Sequence, residues 1–167
     1  MKKNLVKLFE NAFNYCEEEN YLQALKCYDE ILTIEPQNIA ALIDKGTTLQ
    51  NLNKLKTSIQ FYDKALSLDP DNLDALVNKG SALHSLGLFS QAIDCYDHAL
   101  KIDDKCAMAF AYKGLSLGEQ GKIKEALKFF KKALSIDKDY DIAKISKNIA
   151  QDLLNSIKRE QLKFKTR

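Results

Sequence analysis

Four stretches of this chain carry one pattern: ALKCYDEILTIEPQN at 24–38, SIQFYDKALSLDPDN at 58–72, AIDCYDHALKIDDKC at 92–106 and ALKFFKKALSIDKDY at 126–140. They begin at positions 24, 58, 92 and 126, a constant step with no insertion. A period held through three intervals restricts the chain to a repeat architecture. In such a fold each unit buries its apolar faces against its neighbours, because one copy cannot bury them alone.

The upstream half of each unit repeats as well. Leu8, Leu42, Leu76 and Phe110 share a register, followed by Ala12, Gly46, Gly80 and Gly114, then Tyr15, Leu49, Leu83 and Leu117. Within a unit these fall at i, i+4 and i+7, one face of an α-helix. The downstream half places Ala24, Ser58, Ala92 and Ala126, then Tyr28, Tyr62, Tyr96 and Phe130, then Ile31, Ala65, Ala99 and Ala133 on a second amphipathic helix. Gly87 and Gly121 suit a left-handed residue between the two helices, and Asn serves there too. Pro36 and Pro70 stop the second helix. A mid-helix glycine costs about 1 kcal/mol relative to alanine. Its recurrence therefore predicts close approach of the second helix, with the tyrosine or phenylalanine packed against it. Ala65, Ala99 and Ala133 are expected to admit the next unit's first helix.

This pattern resembles the tetratricopeptide repeat, with its 34-residue period and W-x2-L-G-x2-Y … A-x3-F … P signature. Gly46, Gly80 and Gly114 match the small residue of the first helix. Ala24, Ala92 and Ala126 match that of the second, Tyr28, Tyr62, Tyr96 and Phe130 its aromatic, and Pro36 and Pro70 the terminal proline. The resemblance covers 5–140 as four repeats: 5–38, 39–72, 73–106 and 107–140. The chain departs from the signature in having no Trp and in placing Asn11, Lys45, Lys79 and Lys113 where Leu precedes the small residue. Asp104 and Lys138 stand in place of the last two prolines. The resemblance implies an all-α fold, a right-handed superhelical α-solenoid of four helix–turn–helix repeats in 1–140. The remaining 141–167, with Ile142, Ile145, Ile149, Leu153, Leu154 and Ile157 on one side, is expected to form a C-terminal capping helix and a basic tail.

The resemblance further implies a non-enzymatic protein–protein interaction scaffold whose first helices line a concave groove for a peptide segment of a partner. The corresponding positions are Phe9, Phe13, Ile43, Asp44, Thr47, Val77, Asn78, Ser81, His84, Tyr112 and Leu115. They are apolar at both ends and small or polar between. Some family members clamp the C-terminal carboxylate of heat-shock chaperones with Lys and Asn. Here only Asn78 fits that clamp, and Asp44 and Asp74 would repel a carboxylate.

Other function classes find little support. The net charge is +2, so bulk charge gives no reason to expect nucleic acid or an anionic membrane. Residues 143–167 nevertheless carry seven Lys or Arg against two Asp or Glu, and a nucleic-acid contact through this tail is one alternative. Self-association, with an end of the array or the capping helix exchanging between chains, is the other, and a monomer or a weak homo-oligomer is expected. No catalytic motif is present, and no cofactor, metal or small-molecule substrate is expected. Residues 137–148 begin like a calcium loop but place Ile142 and Asn148 where Gly and Glu are needed. Of the four cysteines, Cys27 and Cys95 share one register beside the buried tyrosine and read as small hydrophobes. Cys16 is expected to be the exposed, reactive thiol, and Cys106 lies at a turn. No apolar run is long enough to span a bilayer and no leader pattern appears, so a cytoplasmic protein is expected.

Overall fold

A computed structural model describes the backbone of residues 2–165 and the side chains of 4–159. The side chains at the end of the basic tail, 160–167, lie outside the described residues. Among the described residues the chain forms nine α-helices and no strand: α1 (Lys2–Glu17), α2 (Tyr21–Ile34), α3 (Ile39–Asn51), α4 (Leu55–Leu68), α5 (Leu73–Ser85), α6 (Phe89–Ile102), α7 (Ala107–Glu119), α8 (Ile123–Ile136) and α9 (Asp141–Lys165). The first eight are sequential pairs joined by short turns, and α9 follows them. The chain divides into two compact units, Met1–Leu86 and Gly87–Arg167.

The turn inside each pair is built by one left-handed residue. Glu19, Asn53, Gly87 and Gly121 have φ between 55° and 76°, and each stands one full repeat after the one before. The reversal lets the following amide reach back five positions. Asn20 N–H donates to the Tyr15 carbonyl at 2.7 Å, Lys54 to Leu49 at 2.8 Å and Lys122 to Leu117 at 2.9 Å. These bonds satisfy carbonyls that the helix end leaves open. Glycine takes this conformation without steric cost; Glu19 does not.

The turns between pairs use two devices. After Pro36 and Pro70, the Asn38 and Asn72 side chains accept from the Ala41 and Ala75 amides at 3.0 and 3.1 Å. Each caps its helix and donates to the preceding acid, Glu35 or Asp69. In the two turns without proline, the Asp103 and Asp137 carboxylates accept from the Lys105 and Asp139 amides at 2.9 Å. An aspartate-based turn thus replaces the proline there.

The expected glycine–aromatic packing is present. A Cβ on Gly46 would lie 2.6 Å from Tyr62 Cε1, and one on Gly114 would lie 2.6 Å from Phe130 Cε1. Tyr62 and Phe130 are buried. Successive pairs meet through alanine: Ala65 clusters with Ala75 and Ala133 with Ala143. Ala41, Ala75, Ala109 and Ala143 are fully buried, at one register position in successive repeats. Helix α9 therefore begins in the register of a fifth first helix. It docks through Ala143 and Ala150, with Leu154 half-buried. Ile142, Ile145, Ile149, Leu153 and Ile157 are exposed, so the isoleucine stripe of the sequence is not the face that holds α9 to α8.

The lysines that replace the signature leucine have partners. Lys45 pairs with Asp29, Lys79 with Asp63 at 2.6 Å, and Lys113 with Asp97. Each pair joins a second helix to the next first helix. Lys45 also lies 4.4 Å from the centre of the Phe61 ring and Lys113 lies 4.5 Å from that of Phe129. At the fourth step the register brings Lys131 opposite Lys147, and both line one open cavity between α8 and α9. We expect Lys131→Asp to complete the ladder. The gain should be about 0.5–1 kcal/mol, read as a Tm increase of roughly 2 °C that high salt removes.

Candidate functional site

The first-helix faces of the Met1–Leu86 unit surround an open cavity of about 740 Å³. Helix α1 supplies Phe9, Glu10, Phe13, Asn14 and Cys16 to its wall, α2 supplies Tyr28, and α3 supplies Asp44, Thr47, Thr48 and Asn51. Phe13 is 63% exposed. It follows Phe9 by one helical turn, and the half-buried Phe9 packs on the α1–α2 core. A solvent-facing phenylalanine at the rim of a concavity has no packing reason in the fold around it.

Helix α3 presents its polar side chains here because its opposite face, Leu42 and Gly46, is committed to Tyr62 and the core. The positions that face α4 and those that face the cavity differ by single steps around the helix. The polar residues form a connected set. Tyr62 donates to Gln50 Oε1 at 3.1 Å, and Gln50 Nε2 donates to Ser81 Oγ at 3.1 Å. Thr47 Oγ1 donates to the Ile43 carbonyl at 3.1 Å and lies 3.2 Å from the Tyr62 hydroxyl. The buried phenol is thereby satisfied beside Thr47, the member of the set that lines the cavity, and α3, α4 and α5 are tied together. Burial pushes the Tyr62 phenol up to about 12, partly offset by the Thr47 hydrogen bond.

Asp44 differs from its neighbours. Burial first, and then the charge of Asp74, hold its carboxyl above the usual carboxylate range. Asp29, Asp63 and Asp97 each hold a lysine. No hydrogen bond or ion pair of the described residues reaches the Asp44 carboxylate; its backbone carbonyl accepts from Thr48 Oγ1 at 2.9 Å.

The structure separates the eleven positions proposed from sequence. Phe9, Phe13, Asp44 and Thr47 line the one cavity. Ile43 and Val77 are buried and belong to the packing between helices. Asn78, Ser81 and His84 are half-buried on α5, with Ser81 held by Gln50. In the second unit, Tyr112 lies against Tyr96 with ring centres 6.1 Å apart. Leu115 lines a separate cavity of about 300 Å³ with Phe130, Ile149 and Leu153. Cys16 is not the exposed thiol expected: it is half-buried, with Sγ 3.6 Å from Thr48 Oγ1 and 4.0 Å from the Tyr28 hydroxyl. Asn14, Tyr28, Thr48 and Asn51 line the wall without having been sequence candidates; the register of Tyr28 marks it as core, yet its hydroxyl lies beside Cys16 of the wall.

Among the described residues no three His, Cys, Asp or Glu side chains converge as a metal site, and no helix is long and apolar enough to cross a membrane. Models of the tetratricopeptide repeat match residues 39–72, 73–106 and 111–140, more than half of the chain. No curated protein matches it. Among solved structures, the MamA protein is 21% identical with a TM-score of 0.78, covering 99% of this chain and 90% of that one. YrrB, described as a TPR protein with an unusual peptide-binding site, is 22% identical with a TM-score of 0.75 and covers 86% of this chain and 74% of its own. The first TPR of Spaghetti (RPAP3), bound to the HSP90 peptide SRMEEVD, is 23% identical with a TM-score of 0.68, covering 71% and 94%. At these identities the likeness establishes the fold: four helix–turn–helix repeats and a final helix, a tetratricopeptide-type α-solenoid.

Proposed function

We propose that this chain, which belongs to the tetratricopeptide repeat family, is a non-enzymatic scaffold that holds a peptide segment of a partner protein on its first-helix face. The observation that carries this reading is the open cavity of the Met1–Leu86 unit with Phe13 exposed at its wall. An aromatic side chain beside a rim of hydrogen-bonding groups suits an extended or helical peptide that inserts one apolar residue and is oriented by polar contacts. YrrB and the Spaghetti domain, which share the fold, are described as having a peptide-binding site and a bound peptide. The test is panning of a random peptide display library on the chain, with Phe13→Asp as the matched control. Recovery of peptides that bind the chain and not the control supports the reading, and equal recovery on both refutes it.

A second reading, self-association, is favoured by one feature. Ile145 and Ile149 of α9 are 61% and 63% exposed and stand one turn apart. An apolar stripe of this kind is costly to leave in water. Light scattering across a concentration series is expected to show mass rising toward a dimer, and Ile149→Lys should abolish the rise. A constant monomer mass at high concentration removes this reading.

A further inference from the structure

We infer that the peptide held in the Met1–Leu86 cavity is a basic one, and that Asp44 receives the ammonium or guanidinium group of a lysine or arginine side chain. This rests on the peptide-binding reading and specifies the ligand's chemistry.

Three observations converge on the assignment. Asp44 lines the cavity with its carboxylate unmatched by any described cation, while burial and Asp74 disfavour its charge. A half-buried carboxylate in that condition is a cost to the fold that an incoming cation removes. The other charged wall residue is Glu10, so the wall carries two acids and no Lys, Arg or His. A metal ion is a poor occupant, because no group of three ligating side chains forms among the described residues.

The third observation is a template within the chain itself. Twice the fold builds a lysine between a carboxylate and a phenylalanine ring: Lys45 with Asp29 and Phe61, and Lys113 with Asp97 and Phe129. The cavity offers the same two halves, the Asp44 carboxylate and the Phe9 and Phe13 rings, without the lysine. A partner's side chain would lay its aliphatic stem on the rings and bring its charge to the acid. The same electrostatics disfavours an acidic peptide of the kind bound by the Spaghetti domain.

The experiment pans a random twelve-residue display library on the immobilised full chain and on Asp44→Asn. Lys and Arg are expected several-fold above library frequency in the pool from the native chain, next to an aromatic or aliphatic residue. A synthetic peptide from that pool should lose about tenfold in affinity on Asp44→Asn, the scale of one charge-assisted contact. Exchange of its basic residue for Gln should cost the native chain the same factor and Asp44→Asn almost nothing further. The peptide exchange needs no protein variant, so it decides the matter even if Asp44→Asn folds poorly. Selected binders without basic enrichment, or equal affinity before and after the Gln exchange, would overturn the inference while leaving peptide binding intact. No selected binder at all would overturn both.

Discussion

Tyr62→Ala is expected to cost about 3–5 kcal/mol of unfolding free energy, the range for deletion of a buried aromatic side chain. The ring is fully buried, its edge fills the space that Gly46 leaves, and its hydroxyl is held by Gln50 and approached by Thr47. The loss therefore combines a cavity that α3 and α4 cannot close with the lost hydrogen bond to Gln50, the residue that reaches Ser81 of α5. A domain of this size holds about 5–15 kcal/mol in all, so a urea titration should show the midpoint falling by about a fifth or more. Tyr62→Phe keeps the ring and should cost only about 1 kcal/mol. The phenol's shift to about 12 fixes the direction with pH. Its contribution is complete below pH 10 and is lost as pH rises from 10 toward 12, because the folded state retains the proton that the unfolded chain releases.

Phe13→Asp should act in the opposite way, on binding and not on the fold. The side chain is exposed, so unfolding should change by no more than about 0.5 kcal/mol. At an interface, one aromatic anchor commonly carries about 2 kcal/mol or more, a loss of about thirtyfold in affinity. The introduced carboxylate leaves a basic peptide's charge attraction in place, so a lost affinity would report the missing ring. Substitution at Tyr112 would not separate the two effects, since that ring packs on Tyr96.

The fold was largely legible in the sequence because its determinants are local and periodic. Gly46 and Gly114, the aromatic at 62 and 130, and the small residues between pairs each mark a contact one helix away, at a spacing that recurs with every repeat. The Lys–Asp ladder was legible too and went unread: Asp29, Asp63 and Asp97 precede Lys45, Lys79 and Lys113 by the same interval each time. It was hidden by comparison with a signature in which those lysines count only as departures. The role of α9 was harder to read. Its isoleucines mark an apolar face, but Ala143 and Ala150 are what dock, because only a small side chain allows α8 to approach closely.

The site was legible by register and not by exposure. First-helix positions at one turn's spacing all look alike in sequence, yet Ile43 is buried while Phe13 stands in solvent. Which of them is covered depends on the neighbouring helix, a tertiary fact. Asp44 illustrates the other limit. Its register places it on a first helix, away from the second-helix register of the paired aspartates, but its half-burial and the absence of a cation beside it among the described residues are tertiary facts.

The central claim is that the first-helix face around Phe13 holds a peptide. Calorimetric titration of one library-selected peptide into the chain and into Phe13→Asp tests it most directly, with thermal unfolding of both proteins as the control. The account predicts saturable one-to-one binding to the chain, about thirtyfold weaker or undetectable binding to the variant, and matching Tm values. Equal affinity for the two proteins would contradict it.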